Sequence, residues 1–310
     1  MRFGAAFILL FCGGALPASP QAVTAPVQGY VGSNVCKTCH PTVVAGYFKN
    51  PHFKQTVAAK DDQKAESGCE NCHGPGKDHV EGRGLKSAIK AFSVMEPKTV
   101  LDECLRCHSQ TLSRANIRRS AHTQNSVVCT NCHGIHKPVS PKGLLAQKQT
   151  DLCYSCHTSV KAQFSMPFKH RVNEGFMSCS DCHNPHGAPA PTWRMASRPR
   201  MVDQAGNEEP CLKCHTDKRG PFVFEHAAVR VDGCESCHSP HGSTNARLLR
   251  RPVILTVCLE CHNGLGNFGR RSTGVLPTTS THNLSDPRYQ NCTTCHVRIH
   301  GSNADARFLR

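Results

Sequence analysis

The sequence predicts a fold of short α-helices and coil with negligible sheet, built as five copies of a module that carries two short motifs. Three observations predict it. The pattern C-x-x-C-H occurs ten times in 310 residues. Glycine and proline, 24 and 20 of them, are scattered throughout and interrupt any long helix or strand. With 13 Phe, 4 Tyr and 1 Trp against 21 Cys and 20 His, the chain also lacks the large apolar side chains from which a conventional core of this size is packed. Something other than ordinary side chains must fill the interior.

The first element is a secretory signal over residues 1–25. Arg2 supplies a short basic region, Phe3 to Leu16 is apolar with small residues, and Ala18 or Ala25 marks the cleavage site, leaving a mature domain of 26–310. The stretch is too short to be a comfortable transmembrane span. Cys12 lies inside it and leaves with it; Phe11, immediately before, argues against lipidation. No later apolar run approaches the roughly 20 residues that span a bilayer; the most apolar one is Val253–Val257. Short helices are expected around Ala45–Lys49 and Ser87–Phe92.

The ten motifs are the next elements. Their cysteines are Cys36 and Cys39, Cys69 and Cys72, Cys104 and Cys107, Cys129 and Cys132, Cys153 and Cys156, Cys179 and Cys182, Cys211 and Cys214, Cys234 and Cys237, Cys258 and Cys261, and Cys292 and Cys295. They end in His40, His73, His108, His133, His157, His183, His215, His238, His262 and His296. C-x-x-C-H is the attachment site of a c-type haem. Each thiol adds to a porphyrin vinyl group, the two-residue spacer matches the separation of the vinyls, and the adjacent imidazole points at the iron. Zinc sites and disulfide scaffolds use C-x-x-C too, but neither requires a histidine after all ten pairs. Ten covalent haems c are therefore expected, and their flat apolar faces replace the missing aromatic side chains. An apo-chain should not fold.

Ten histidines remain: His52, His79, His122, His136, His170, His186, His226, His241, His282 and His300. One follows each motif and precedes the next, so each iron can have a second imidazole. Methionine is the rival axial ligand, but only Met95, Met166, Met177, Met195 and Met201 lie beyond the signal. After even-numbered motifs the spare histidine follows closely; after odd-numbered ones it follows late. The repeat is thus a two-haem module, at 36–79, 104–136, 153–186, 211–241 and 258–300. Opposite axial ligands need Cα atoms about 12–13 Å apart, whereas three extended residues span at most about 10–11 Å. His136, His186 and His241 therefore serve a haem other than that of the motif just before them. The simplest solution is exchange within each module, pairing His79 with His40, His52 with His73, His136 with His108, His122 with His133, His186 with His157, His170 with His183, His241 with His215, His226 with His238, His300 with His262, and His282 with His296.

A formal charge of +15 would ordinarily point to nucleic acid or an anionic membrane. Twenty haem propionates take it to about −5, and ten ferric bis-imidazole cores return it to about +5, so nucleic acid is not an expected partner.

Four segments carry a resemblance to a known family: GCENCHGPGKDHVEG at Gly68–Gly82, MSCSDCHNPHG at Met177–Gly187, CLKCHTDKRGPFVFEHA at Cys211–Ala227 and IHGSNADARFLR at Ile299–Arg310. With the ten motifs, they make the chain similar to the MtrA/DmsE-type decahaem cytochromes, the periplasmic members of outer-membrane porin–cytochrome conduits. The resemblance covers nearly the whole mature chain and is weakest over Asn263–Asn283. It implies an elongated haem wire inside an outer-membrane β-barrel protein, passing electrons between a periplasmic or inner-membrane cytochrome donor and a cell-surface multihaem cytochrome or reductase, with the chain in the periplasm and associated with the outer membrane. A loop-rich chain cannot face lipid, because its backbone groups would go unsatisfied, so crossing a membrane requires such a barrel. The alternatives are a soluble periplasmic shuttle and a multihaem reductase. An enzyme needs an iron with an open position, and here every motif ends in His and every iron has a second His available, so electron transfer without catalysis is expected.

Overall fold

The fold was described from a computed structural model, for residues 29–53, 68–140, 142–187, 210–262, 282, 284 and 286–309. The signal over 1–25, Cys12, Met195, Met201 and nearly all of 263–283 lie outside the described residues.

The chain divides into two units. One comprises Met1–Pro41 with Phe53–Ala91, the other Thr42–His52 with Phe92–Arg310. In both, the described residues form short helices, single turns and coil, with β structure limited to isolated bridges such as His133 to Leu145 and Phe168 to Ser243. Among the described residues this is the coil with short helices and negligible sheet expected from the sequence. Of the two early helices expected, one spans Pro41–Tyr47 with Val44 and Tyr47 buried one turn apart, and the other is a single 3₁₀ turn at Lys86–Ala88. No described helix is long and apolar enough to cross a membrane.

The helices are short because most of them exist to shape a motif. The His40 backbone N–H donates to Cys36 O at 2.9 Å, and the same closure recurs at His73 to Cys69, His133 to Cys129, His157 to Cys153, His183 to Cys179, His215 to Cys211, His238 to Cys234, His262 to Cys258 and His296 to Cys292, all between 2.8 and 3.0 Å. One helical turn puts positions i, i+3 and i+4 on one face, so both thiols and the imidazole of a motif share a side. The longest helix, Pro97–His108, ends in such a motif; Pro97 begins it, and Val100, Leu101 and Leu105 form its buried stripe.

Apolar packing is sparse. Eleven described apolar residues are buried. One cluster joins Val100, Leu101, Leu105, Ile117 and Val128; a second joins Tyr154, Phe164 and Val172. Each reaches the first cysteine of an even-numbered motif, Cys129 and Cys179 respectively. The apolar side chains thus seat the anchors and do not form a core of their own. Met95 and Met177 pack against these two clusters.

Candidate haem centres

In four of the five modules the first cysteines of the two motifs lie against each other. Cys36 hydrogen-bonds Cys69, and so do Cys104 with Cys129, Cys153 with Cys179 and Cys258 with Cys292. These contacts split the thiol acidities. The hydrogen bond from Cys36 draws Cys69 down to about 6 and raises Cys36 itself, while the bond from Cys104 draws Cys129 down to about 7. Burial pushes Cys153 and Cys258 up to about 12. Attachment of a c-type haem would convert such thiols to thioethers, so the split belongs to the bare chain.

The imidazoles face each other in pairs. In the first unit His40 stands opposite His79, ring centroids 6.4 Å apart. In the second, the pairs are His52–His108, His122–His157, His133–His186, His170–His215, His183–His241, His226–His262, His238–His300 and His282–His296, at 5.8 to 6.3 Å. Two iron–nitrogen bonds of about 2.0 Å each, plus the half-ring behind each nitrogen, give about 6.2 Å. The spacing, which also lies in the range of ordinary aromatic pairs, fits two axial ligands with room for an iron between them.

The outer nitrogens are committed elsewhere. His73 lies with Nδ1 2.8 Å from Lys90 O, His79 3.0 Å from Leu85 O, His122 2.9 Å from Pro185 O, His133 2.7 Å from Gly143 O, His170 2.6 Å from Pro240 O, His238 2.9 Å from Arg247 O and His296 2.6 Å from Arg307 O. A carbonyl only accepts, so Nδ1 carries the proton and Nε2 presents its lone pair inward, the arrangement a metal-bound imidazole requires. Burial also disfavours the charged form of five spare histidines. It lowers His52, His186, His226 and His241, and brings His300 down to about 4. Facing neutral imidazoles, paired anchoring sulfurs and a sparse apolar interior all fit c-type haem.

The pairing corrects the exchange within modules that spacing favoured. Only His40–His79 and His282–His296 coincide with it. His52 faces His108, not His73, and His136 packs edge-on to Tyr47, not against His108. His122 faces His157 instead of His133, and His186 faces His133 instead of His157. His170 faces His215 instead of His183, and His241 faces His183 instead of His215. His226 faces His262 instead of His238, and His300 faces His238 instead of His262. The late histidine of one module goes forward to the odd motif of the next, and the close histidine of that next module comes back to the even motif. The physical reason is that thiols occupy the space between the two motif turns of a module, so the imidazoles open outward. The carbonyl just before a close histidine then receives the late histidine of the preceding module, as Pro185 does for His122 and Pro240 for His170.

One set of positioning residues is not apparent from motif spacing. The carbonyls that hold His133, His238 and His296 belong to Gly143, Arg247 and Arg307, each opening a triplet: Gly143–Leu144–Leu145, Arg247–Leu248–Leu249 and Arg307–Phe308–Leu309. The backbone turns left-handed there, with φ of 77° and 53° at Gly143 and Leu144, 59° and 58° at Arg247 and Leu248, and 62° at Phe308. The one signal in the chain is the recurrence of the triplet at a similar distance after even motifs.

Comparison with known proteins agrees with this geometry. A family model described as a doubled CXXCH motif matches residues 122–162, 170–220 and 226–267. Each match starts at a late histidine and includes the odd motif that this histidine faces. A second family model, cytochrome c554 and c-prime, matches residues 78–134. The multiheme cytochrome MtrA of Shewanella baltica (strain OS185) is 32% identical over 283 residues, covering 88% of this chain and 79% of that protein. With so much of both chains aligned at that identity, and with the imidazole pairs in place, the chain belongs to the multihaem cytochromes of the MtrA kind.

Proposed function

We propose that this protein carries electrons through ten covalently bound, bis-histidine haems c between the periplasm and the cell exterior, seated in an outer-membrane β-barrel. As a multihaem cytochrome it binds haem c and transfers electrons; the number of haems, their ligands and the barrel are the finer reading. The observation that carries it is the series of facing imidazoles, each pair at the separation of two axial ligands.

In this reading the twenty motif cysteines anchor ten haems, one haem to each motif through two cysteines, and the motif histidines are their proximal ligands. The ten spare histidines complete the irons. Bound haem supplies a one-electron couple at each site. The chain's own residues do the rest. The Nδ1 contacts to backbone carbonyls fix His73, His79, His122, His133, His170, His238 and His296 in one tautomer and orientation, so little moves at these positions when the electron arrives or leaves. Two imidazoles per iron leave no open position for a substrate. The contact of Cys153 with Cys179, and the electrostatic influence of Cys211 on Cys182, place successive sites near one another.

A membrane-crossing role needs a protein sheath, since coil backbone cannot be left in lipid. The resemblance to the conduit cytochromes supplies that sheath as a barrel partner. The test is reconstitution. Alone, the purified cytochrome should not pass electrons into sealed liposomes; with its barrel it should reduce an acceptor trapped inside when reductant is added outside. A pair that conducts no faster than either component would replace the conduit with a soluble shuttle.

A further inference from the structure

Glu70 sits between the two cysteines of the second motif and is 3% exposed. Its carboxylate is held by three backbone N–H groups: Val31 and Gly76 donate to Oε1 at 3.0 and 2.8 Å, and Gly32 donates to Oε2 at 2.8 Å. Three backbone donors converge on this one carboxyl group, so it is held in place inside the first unit. Its neighbours are both haem motifs of that unit. Gly32 precedes the Ser33–Cys39 helix, which carries the first motif, and Glu70 begins the Glu70–His73 turn of the second. Ser33 accepts a hydrogen bond from the Cys69 N–H at 3.1 Å, and the field of Glu70 reaches the sulfurs of both Cys36 and Cys69.

We infer that Glu70 is a redox-tuning residue, whose buried charge lowers the reduction potentials of the haems anchored at Cys36–Cys39 and Cys69–Cys72. A ferric bis-imidazole core is one charge more positive than a ferrous one. A fixed anion in a poorly screened site therefore favours the oxidised state. The backbone donors damp this effect without cancelling it, because their partial charges do not sum to a full positive one. Among the described residues, Glu70 is the only carboxylate side chain so deeply buried, which confines the effect to this pair.

The inference rests on the reading of these motifs as haem anchors, and haem content separates the two. Haem content, thermal stability and a redox titration followed by electron paramagnetic resonance would be measured on the full haem-loaded protein and on Glu70→Gln. Retained haem with two sites shifted upward, their oxidised-to-reduced ratio at fixed potential falling several-fold, supports the inference. Retained haem with a superimposable titration overturns it. Absence of haem at these motifs in the unsubstituted protein would overturn the anchor reading instead. If Glu70→Gln does not mature, Glu70→Asp decides. It keeps the charge but shortens the reach to the donors, so it should lose thermal stability and leave the potentials low. Potentials raised by Asp would mean that the clasp on Val31, Gly32 and Gly76 sets them, not the charge.

Discussion

At the scale of the residue, the sequence announces the chemistry and conceals the partners. Every C-x-x-C-H motif and every spare histidine is legible, because thioether attachment and axial ligation demand fixed residue types at fixed spacing. Which histidine faces which is not, since chain reach excludes partners without selecting among those that remain. His186 illustrates the difference. Reach alone removes it from a haem at Cys179–Cys182 and leaves Cys153–Cys156 as the simplest choice, yet it stands 6.1 Å from His133. His186→Met should therefore change the haem at Cys129–Cys132. A Met ligand raises the potential of one haem in ten and alters one ferric resonance signal. That change should vanish in a background where Cys129 and Cys132 are both alanine. If it vanished instead in a background lacking Cys153 and Cys156, the pairing between modules would be wrong.

At the scale of the element, the motif turn is the structural unit, and the chain beyond each turn is only partly legible in the sequence. The scarcity of long elements comes from the scattered glycine and proline, and the motif turns come from the spacing. The left-handed triplets after even motifs are hidden, because Leu144, Leu248 and Phe308 are not residue types that favour positive φ. Two glycines separate the kinds of constraint involved. At Gly143, φ is 77° but nothing lies within 4 Å of an added Cβ, and Arg247 fills the corresponding place in a later repeat at φ 59°. Gly143→Ala should cost about 1–2 kcal/mol from the left-handed backbone alone, with no loss at a histidine. At Gly242 an added Cβ would collide with the backbone carbonyl of Gln163, a residue whose Oε1 accepts from His241 Nδ1 at 2.9 Å. Gly242→Ala should cost about 1–3 kcal/mol and loosen His241. Thermal melts monitored in the haem absorption band check both; equal effects would mean that His241 does not depend on this close approach.

At the scale of the whole molecule, histidines passed between neighbouring modules make the second unit one interlocked series and not a string of independent beads. His122 and His186, 64 positions apart in the sequence, serve adjacent sites through a single turn at Pro185. Few of the described apolar residues are buried, and in the proposed reading metal ligation and the haem faces take over the cohesive role of a core. The proposed arrangement suits electron transfer, since an iron held by two imidazoles would have no open position for a substrate. The central claim, ten irons each with two histidines, is tested most directly by a quantified electron paramagnetic resonance spectrum of the fully oxidised native protein, with iron measured on the same sample. The account predicts ten irons per chain, with low-spin ferric signals alone. A high-spin signal amounting to one iron or more per chain, or an iron count of eight or fewer, would contradict it.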